Sequence, residues 1–364
     1  NLNDNQYMQR CLQLAQLGEY YVAPNPMVGA VLVSDEGVIL AEGWHQKFGG
    51  PHAEVNCFLD AERKGVTGEQ IHSATLYVSL EPCSHYGKTP PCAELIVSKR
   101  PKRVVCGMKD PNPQVAGRGI ERLQQEGIEL TVGVLEKECR YLNRRFLMLH
   151  EHKRPYIILK WAQTADGFLD YKRDIPSNAP ECAGTCNSER SETFSTNAGE
   201  PLAISTPQTK QLVHKMRAEN MAIMVGSGTI LLDNPHLTNT HWQGRNPVRI
   251  VLDRRHRINV PFTVLHDADK PSHYLTNVPK TIILHDTDDL HDVFRKIGAM
   301  NIHSVLVEGG AQILHALIEE KLFDEMHIEV NPRLRIGDGV AAPQIPLHDS
   351  ECQIIDGNRL YTLL

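Results

Sequence analysis

At 364 residues and 40.9 kDa the chain exceeds what one hydrophobic core ordinarily organises, which predicts two domains. Hydrophobic residues at 41% and charged residues at 23% are the proportions of a soluble globular protein. A net charge of −6 excludes the broad basic face of a nucleic-acid binder, and no apolar run approaches the roughly 20 residues of a membrane helix.

The opening stretch reads as an amphipathic helix ending at Gly18, without the layout of a signal peptide. Nine cysteines and no secretory signal predict reduced thiols in a cytoplasmic protein. A Pro- and Asn-rich loop from Ala23 to Gly29 leads into strand Ala30–Val33, and Ser34-Asp-Glu-Gly37 turns it into a second strand at Gly37–Leu40. A helix follows from His52 through Arg63. Strand Ala74–Ser79 ends at Glu81-Pro82, Pro91-Cys92 opens another helix, and strand Arg103–Gly107 precedes a helix from Ile120 to Gly127. This alternation predicts a layered α/β domain over residues 1–150. The pattern resets near Leu147–Pro155. Strands are then expected at Tyr156–Lys160, Ala222–Val225, Val248–Leu252, Thr281–Leu284, Ser304–Val307 and Met326–Val330. Helical patterns at Pro207–Glu219, Leu290–Ala299 and Ala311–Leu322 lie between them, so residues 151–364 form a second α/β domain. Residues 172–201 are polar and aperiodic and read as an exposed insertion.

In the first domain His52, Cys83 and Cys92 stand at a helix start, just past a strand, and at a second helix start. Helix N-termini favour the thiolate that a metal requires. Two thiolates and one imidazole suit Zn²⁺ and leave its fourth position for water. Glu54 follows His52 by two residues, and the order His-x-Glu…Pro-Cys…Cys is that of the zinc deaminases, where the Glu carries protons and is not a ligand. On an ideal helix residues two apart diverge, so convergence of His52 and Glu54 depends on the first turn. The bland reading is a structural zinc site closed by a fourth ligand such as His85. Eight residues, Ser84 to Pro91, separate the cysteines, where the generic signature has two.

At Pro82-Cys-Ser-His-Tyr-Gly-Lys-Thr-Pro-Pro-Cys92 the pattern becomes specific. With Pro24-Asn-Pro-Met-Val-Gly29 and Asp110-Pro-Asn-Pro-Gln-Val-Ala-Gly-Arg-Gly119, it resembles the bifunctional riboflavin-biosynthesis deaminase/reductase family. Lys160-Trp-Ala-Gln-Thr-Ala-Asp-Gly167, Met224-Val-Gly-Ser-Gly-Thr-Ile-Leu-Leu-Asp-Asn-Pro235 and Val307-Glu-Gly-Gly310 extend the resemblance over nearly the whole chain. It implies a cytidine-deaminase-like α/β/α domain followed by a dihydrofolate-reductase-like α/β domain. It also implies Zn²⁺ and NADPH as cofactors and a small nucleotide-like substrate. The first domain would deaminate 2,5-diamino-6-ribosylamino-4(3H)-pyrimidinone 5′-phosphate. The second would reduce the ribosyl group of 5-amino-6-(5-phosphoribosylamino)uracil to ribityl. By position, Asn25, His45, His85, Lys88, Asp110 and Asn112 belong to the deaminase pocket. Ala162, Thr229, Asp233, Gly310, Ala311, Gln312 and Ile313 would meet NADPH, and Arg217, Leu237 and Glu308 the reductase substrate. A homo-oligomer free of nucleic acid and membrane is expected.

Read on its own, the second domain lacks a Gly-x-Gly-x-x-Gly fingerprint. It offers Gly226-Ser-Gly-Thr229 and Glu308-Gly309-Gly310 at strand ends, two backbone cradles that suggest one crevice. Arg254 or Arg255 is expected to pair the 2′-phosphate of NADPH. Three departures from the family pattern stand out: Pro201 and Ala203 where Ser and Trp are common, Thr240 where a phosphate-binding Arg is frequent, and Arg254 in place of Ser. Arg217, Lys172 or Arg245 would then supply the missing cation. Cys182 and Cys186 have metal-like spacing but no second pair nearby, and read as incidental. Two further readings stay open: a deaminase whose second half is a binding or assembly module, and a nucleic-acid deaminase, which the acidic balance disfavours.

Overall fold

A computed structural model describes residues 3–85, 90–111, 116–175, 199–258, 262–285, 289–348 and 350–364. The chain forms two compact units, Asn1–Lys153 and Arg154–Leu364. In the first, α1 (Asp4–Gln16) precedes the hairpin β1 (Gly29–Val33) and β2 (Ile39–Trp44). There follow α2 (Ala53–Arg63), α3 (Gly68–Ser73), β3 (Thr75–Val78), α4 (Cys92–Lys99), β4 (Arg103–Cys106), α5 (Arg118–Gln125) and β5 (Glu129–Val132). Helices α6 (Glu136–Leu142) and α7 (Arg144–His152) close the unit.

The five strands lie in the order β2-β1-β3-β4-β5, antiparallel across β1 and parallel from β3 to β5. Every residue of β1 is buried, because it is an interior strand, paired with β2 and β3 and covered by α1 and α2. Gly43 on β2 fixes the seat of α2. A Cβ there would stand 2.2 Å from the Cys57 nitrogen and 2.5 Å from the Ala53 carbonyl oxygen, so only glycine admits the helix this close. That contact sets the position of the helix start, where His52 and Glu54 lie.

The second unit contains β6 (Tyr156–Thr164), β7 (Phe168–Asp170), α8 (Pro207–Glu219), β8 (Ala222–Gly226), α9 (Ser227–Asp233), β9 (Val248–Leu252) and β10 (Thr281–Leu284). It continues with α10 (Leu290–Ala299), β11 (Ser304–Gly309), α11 (Ala311–Glu319), β12 (Glu325–Asn331), β13 (Val340–Ala341), β14 (Glu351–Ile355) and β15 (Asn358–Leu363). Eight strands form one sheet, β10-β9-β8-β11-β6-β12-β15-β14. It is parallel from β10 to β12, and β15 runs antiparallel to both its neighbours. The apolar runs expected as strands are buried as parallel central strands should be, with Ile157, Ile158, Leu159, Met224 and Leu306 at 1% exposure or less.

Boundaries differ from the sequence reading in instructive places. β2 starts at Ile39, not Gly37, because Gly37 holds a positive φ of 84° in the turn. Pro91 is the N-cap of α4 and Cys92 its first residue. β5, α6, α7 and the β14–β15 hairpin were not expected. Of the insertion, residues 176–198 with Cys182 and Cys186 lie outside the described residues, as do Lys88 and Asn112.

Candidate active sites

His52 is the N-cap of α2 in extended conformation (φ −72°, ψ 170°), and Glu54 sits in the first turn with 3% exposure. The break in backbone geometry between them lets the ring and the carboxylate turn toward one space. Cys83 follows β3, and Cys92 opens α4, where its backbone N–H donates to Cys83 Sγ at 3.2 Å. His52 Nδ1 lies 3.6 Å from Cys83 Sγ and 3.4 Å from Cys92 Sγ. Tetrahedral bonds of about 2.3 Å to sulfur and about 2.0 Å to nitrogen give edges of about 3.6 Å, so the three donors fit zinc. These three form the one metal-type group among the described residues; His85 is exposed and outside it.

Hydrogen bonds from the Cys92 thiol, from His52 and from the Cys92 backbone pull the Cys83 thiol down to about 4 against its burial. The same sharing pushes the Cys92 thiol up. Burial, then the nearby Cys83 thiolate, lifts the Glu54 carboxyl to about 7. A carboxyl near neutrality suits a group that both accepts and returns a proton.

Two expected pocket residues meet here. His45 is 2% exposed; its Nδ1 lies 2.9 Å from the Pro51 carbonyl oxygen and its Nε2 lies 3.0 Å from Asn25 Nδ2. With Nδ1–H donating to Pro51, Nε2 accepts from Asn25. Burial lowers the His45 pKa, in keeping with a neutral ring, and the ring stands edge-on to His52 at 5.4 Å. Asp110 is held through its backbone by Glu81, which was not among the expected site residues. The buried Glu81 carboxylate accepts backbone N–H bonds from Asp110 (3.1 Å), Gly117 (3.0 Å), Gly119 (3.0 Å) and Ile120 (3.4 Å). This clamps the loop bearing Asp110 against the strand end that delivers Cys83. Glu81 was visible only as a polar residue before Pro82-Cys83.

In the second unit β8 and β11 are parallel neighbours, so Gly226-Ser-Gly-Thr229 and Glu308-Gly309-Gly310 emerge side by side. A Cβ built on Gly226 would lie 4.0 Å from the Gly310 nitrogen and 3.2 Å from Ile313 Cδ1; one on Gly310 would lie 3.5 Å from Thr229 Oγ1. The side-chain-free surface opens at the start of α11, with Ala311 and the exposed Gln312 beside it. Such a cradle fits the phosphates of a nicotinamide dinucleotide. Ala162 lies on β6, the other neighbour of β11.

Arg217 and Glu308 form a two-pronged ion pair at 2.7 and 2.7 Å, and Arg217 Nη1 donates to the Thr238 carbonyl oxygen at 2.9 Å, next to buried Leu237. The three expected substrate residues are thus one cluster. Lys160, missed as a site residue, lies near it: burial depresses its ammonium, and Glu308 and Glu329 oppose the shift. Asp233 is ion-paired with Arg173 at 2.7 Å. The cations expected to replace an arginine at Thr240 are otherwise engaged. Arg217 holds Glu308, Lys172 holds Asp338 at 2.6 Å, and Arg245 lies over the Tyr274 ring at 5.3 Å.

Fold and sites define a two-headed enzyme, a zinc-dependent deaminase joined to an NADPH-dependent reductase. Residues 2–108 match the cytidine and deoxycytidylate deaminase zinc-binding region and residues 155–347 the RibD C-terminal domain. The chain belongs to the RibD family of bifunctional riboflavin-biosynthesis enzymes. It is 34% identical to the riboflavin biosynthesis protein RibD of Aquifex aeolicus, over 96% of this chain and 92% of that one. The Escherichia coli RibD is 34% identical over 95% and 92%. The solved deaminase/reductase of Thermotoga maritima has a TM-score of 0.79 at 34% identity, covering 99% of this chain and 97% of its own. The deaminase with a mere assembly module is not favoured, because the reductase domain is matched as such.

Proposed function

We propose that residues 1–150 deaminate 2,5-diamino-6-ribosylamino-4(3H)-pyrimidinone 5′-phosphate through His52, Cys83, Cys92 and Glu54, and that residues 151–364 reduce the product's ribosyl group. The observation that carries the first half is the triangle of His52 Nδ1, Cys83 Sγ and Cys92 Sγ beside the buried Glu54 carboxyl. When bound, zinc supplies the Lewis acidity that makes water a nucleophile near neutral pH. Glu54 takes a proton from the attacking water and hands one to the departing amino nitrogen, a round trip that a carboxyl near 7 makes without a large energetic step. Asn25 and His45 line the same space as a polar pair that orients the pyrimidine. Glu81 anchors the backbone of Asp110, the third residue assigned to this pocket.

In the second half, NADPH supplies the reducing equivalents. The chain holds its phosphates at Gly226–Thr229 and Gly310–Ile313, while Arg217, Leu237 and Glu308 grip the substrate. The two reactions run on a free nucleotide in the cytoplasm, in a homo-oligomer. Ammonia release and NADPH oxidation measured separately test the assignment. His52→Ala should lose zinc and ammonia release while the deaminated substrate is still reduced; zinc binding that survives this change would refute the ligand set.

A further inference from the structure

The reductase cluster carries two cations, Arg217 and Lys160, and their surroundings differ. Arg217 commits its fork to Glu308. The Lys160 ammonium makes no hydrogen bond or ion pair among the described residues, although burial works against its charge. Strand pairing places the groups around it. The Val307–Leu159 pair brings Glu308 alongside Lys160 on β11, and His327 stands level with it on β12. Glu329 is level with Ala162, two residues on, and so shares the sheet face of Lys160. One strand spacing across and two residues along put their Cβ atoms about 8 Å apart, which a lysine and a glutamate span together.

Glu329 is built as a fixed counter-charge. It is 3% exposed, and each carboxylate oxygen accepts from a neutral donor: Oε2 from Ser205 Oγ at 2.6 Å, Oε1 from Asn358 Nδ2 at 2.7 Å. Asn358 lies on β15 and also donates to the Ile204 carbonyl oxygen at 3.1 Å. Ser205 directly precedes Thr206, the N-cap of α8, the helix that carries Arg217. Neither donor brings a positive charge, so the negative charge of Glu329 acts on Lys160. The charged groups then balance in pairs, Glu308 with Arg217 and Glu329 with Lys160. The histidines nearby are engaged elsewhere. His327 Nε2 lies 2.5 Å from Glu325 Oε1, and His214 Nδ1 on α8 accepts the Thr240 N–H at 3.1 Å.

We propose that Glu329 is a positioning residue of the reductase, the fixed carboxylate that balances the Lys160 ammonium beside the Arg217–Glu308 pair. The inference rests on the reductase reading and deepens it. Two measurements on the full-length protein test it. One is labelling of Lys160 by acetic anhydride across a pH series, read by peptide mass spectrometry; only the neutral amine reacts, so no turnover is needed. The other is the pH profile of NADPH oxidation with the deaminated substrate. Glu329→Gln keeps the shape and drops the charge. Lys160 should then be labelled about tenfold faster near neutral pH, and the alkaline limb of kcat should move about one pH unit lower, with KM for NADPH unchanged. Ser205→Ala keeps the carboxylate and should be labelled as the wild type is, and Glu329→Asp should lie between. Unchanged labelling in Glu329→Gln would overturn the proposal. So would an equal shift in Ser205→Ala, which would show the hydrogen bonds at work and not the charge. A wild type that oxidises no NADPH would instead defeat the reductase reading, with the labelling still deciding the charge balance.

Discussion

In the proposed mechanism the deaminase chemistry turns on Glu54, which is buried, close to Cys83 and Cys92 and not itself in the metal-type group. Glu54→Gln keeps the shape and removes the proton carrier. The expected outcome is one zinc per chain, ammonia release down about a hundred- to ten-thousandfold, and reductase activity at the wild-type level. Metal analysis of the purified variant checks it, because zinc loss would make Glu54 a ligand. In the second unit, Arg217 and Glu308 are 15% and 13% exposed, so breaking the pair strands a charge. Glu308→Gln should lower the melting temperature of the reductase unit and abolish reduction, while ammonia release stays intact. A reductase that tolerates this change would remove Glu308 from the site.

At the level of elements, the candidate zinc ligands were legible because each is tied to a local signal. His52-Ala-Glu54 starts a helix, Pro82-Cys83 follows the end of β3 and Pro91-Cys92 starts another helix. The clamp around Glu81 was not legible, because its donors, Asp110 and Gly117 in a loop and Gly119 and Ile120 in the first turn of α5, stand 29 to 39 residues further along the chain. Gly119 exposes that clamp to test. A Cβ there would stand 2.0 Å from the Pro82 carbonyl oxygen, so Gly119→Ala must displace the loop bearing Asp110. Deaminase turnover should fall and the reductase should not; equal activity in the variant would mean the loop does not shape the pocket. The β14–β15 hairpin escaped for a different reason. Its turn signal, Asp356-Gly357, has both residues at positive φ, but β14 is largely exposed and carries no buried stripe to read.

On β9 and its neighbours a second ionic element has a pH signature. Asp267 accepts from Lys280 and Arg249; burial alone would raise its pKa, but those partners hold it down to about 2. A depressed carboxylate stabilises the fold fully above its unfolded pKa and loses that contribution as pH falls toward the folded value. That contribution is lost between about pH 4 and 2. Asp267→Asn should therefore be less stable near neutrality and show a shallower acid transition in that window, followed by denaturant melts at several pH values. An acid limb unchanged by the substitution would remove Asp267 from the account.

For the molecule as a whole, composition and strand–helix alternation carried the two-unit α/β organisation, and the units Asn1–Lys153 and Arg154–Leu364 each contain one set of candidate site residues. The order of eight strands in the second sheet was beyond the sequence, since non-neighbouring segments meet there: β11 lies between β8 and β6. That insertion places Glu308 beside Arg217 and both glycine cradles on one edge. The central claim is that one chain runs two independent chemistries, the first metal-dependent and the second not. It is tested most directly by removing zinc with a chelator and assaying both activities on the same sample. Ammonia release should vanish and return on adding back one equivalent of Zn²⁺, while NADPH oxidation with the deaminated substrate continues throughout. Deamination that persists in the metal-free protein would contradict the account.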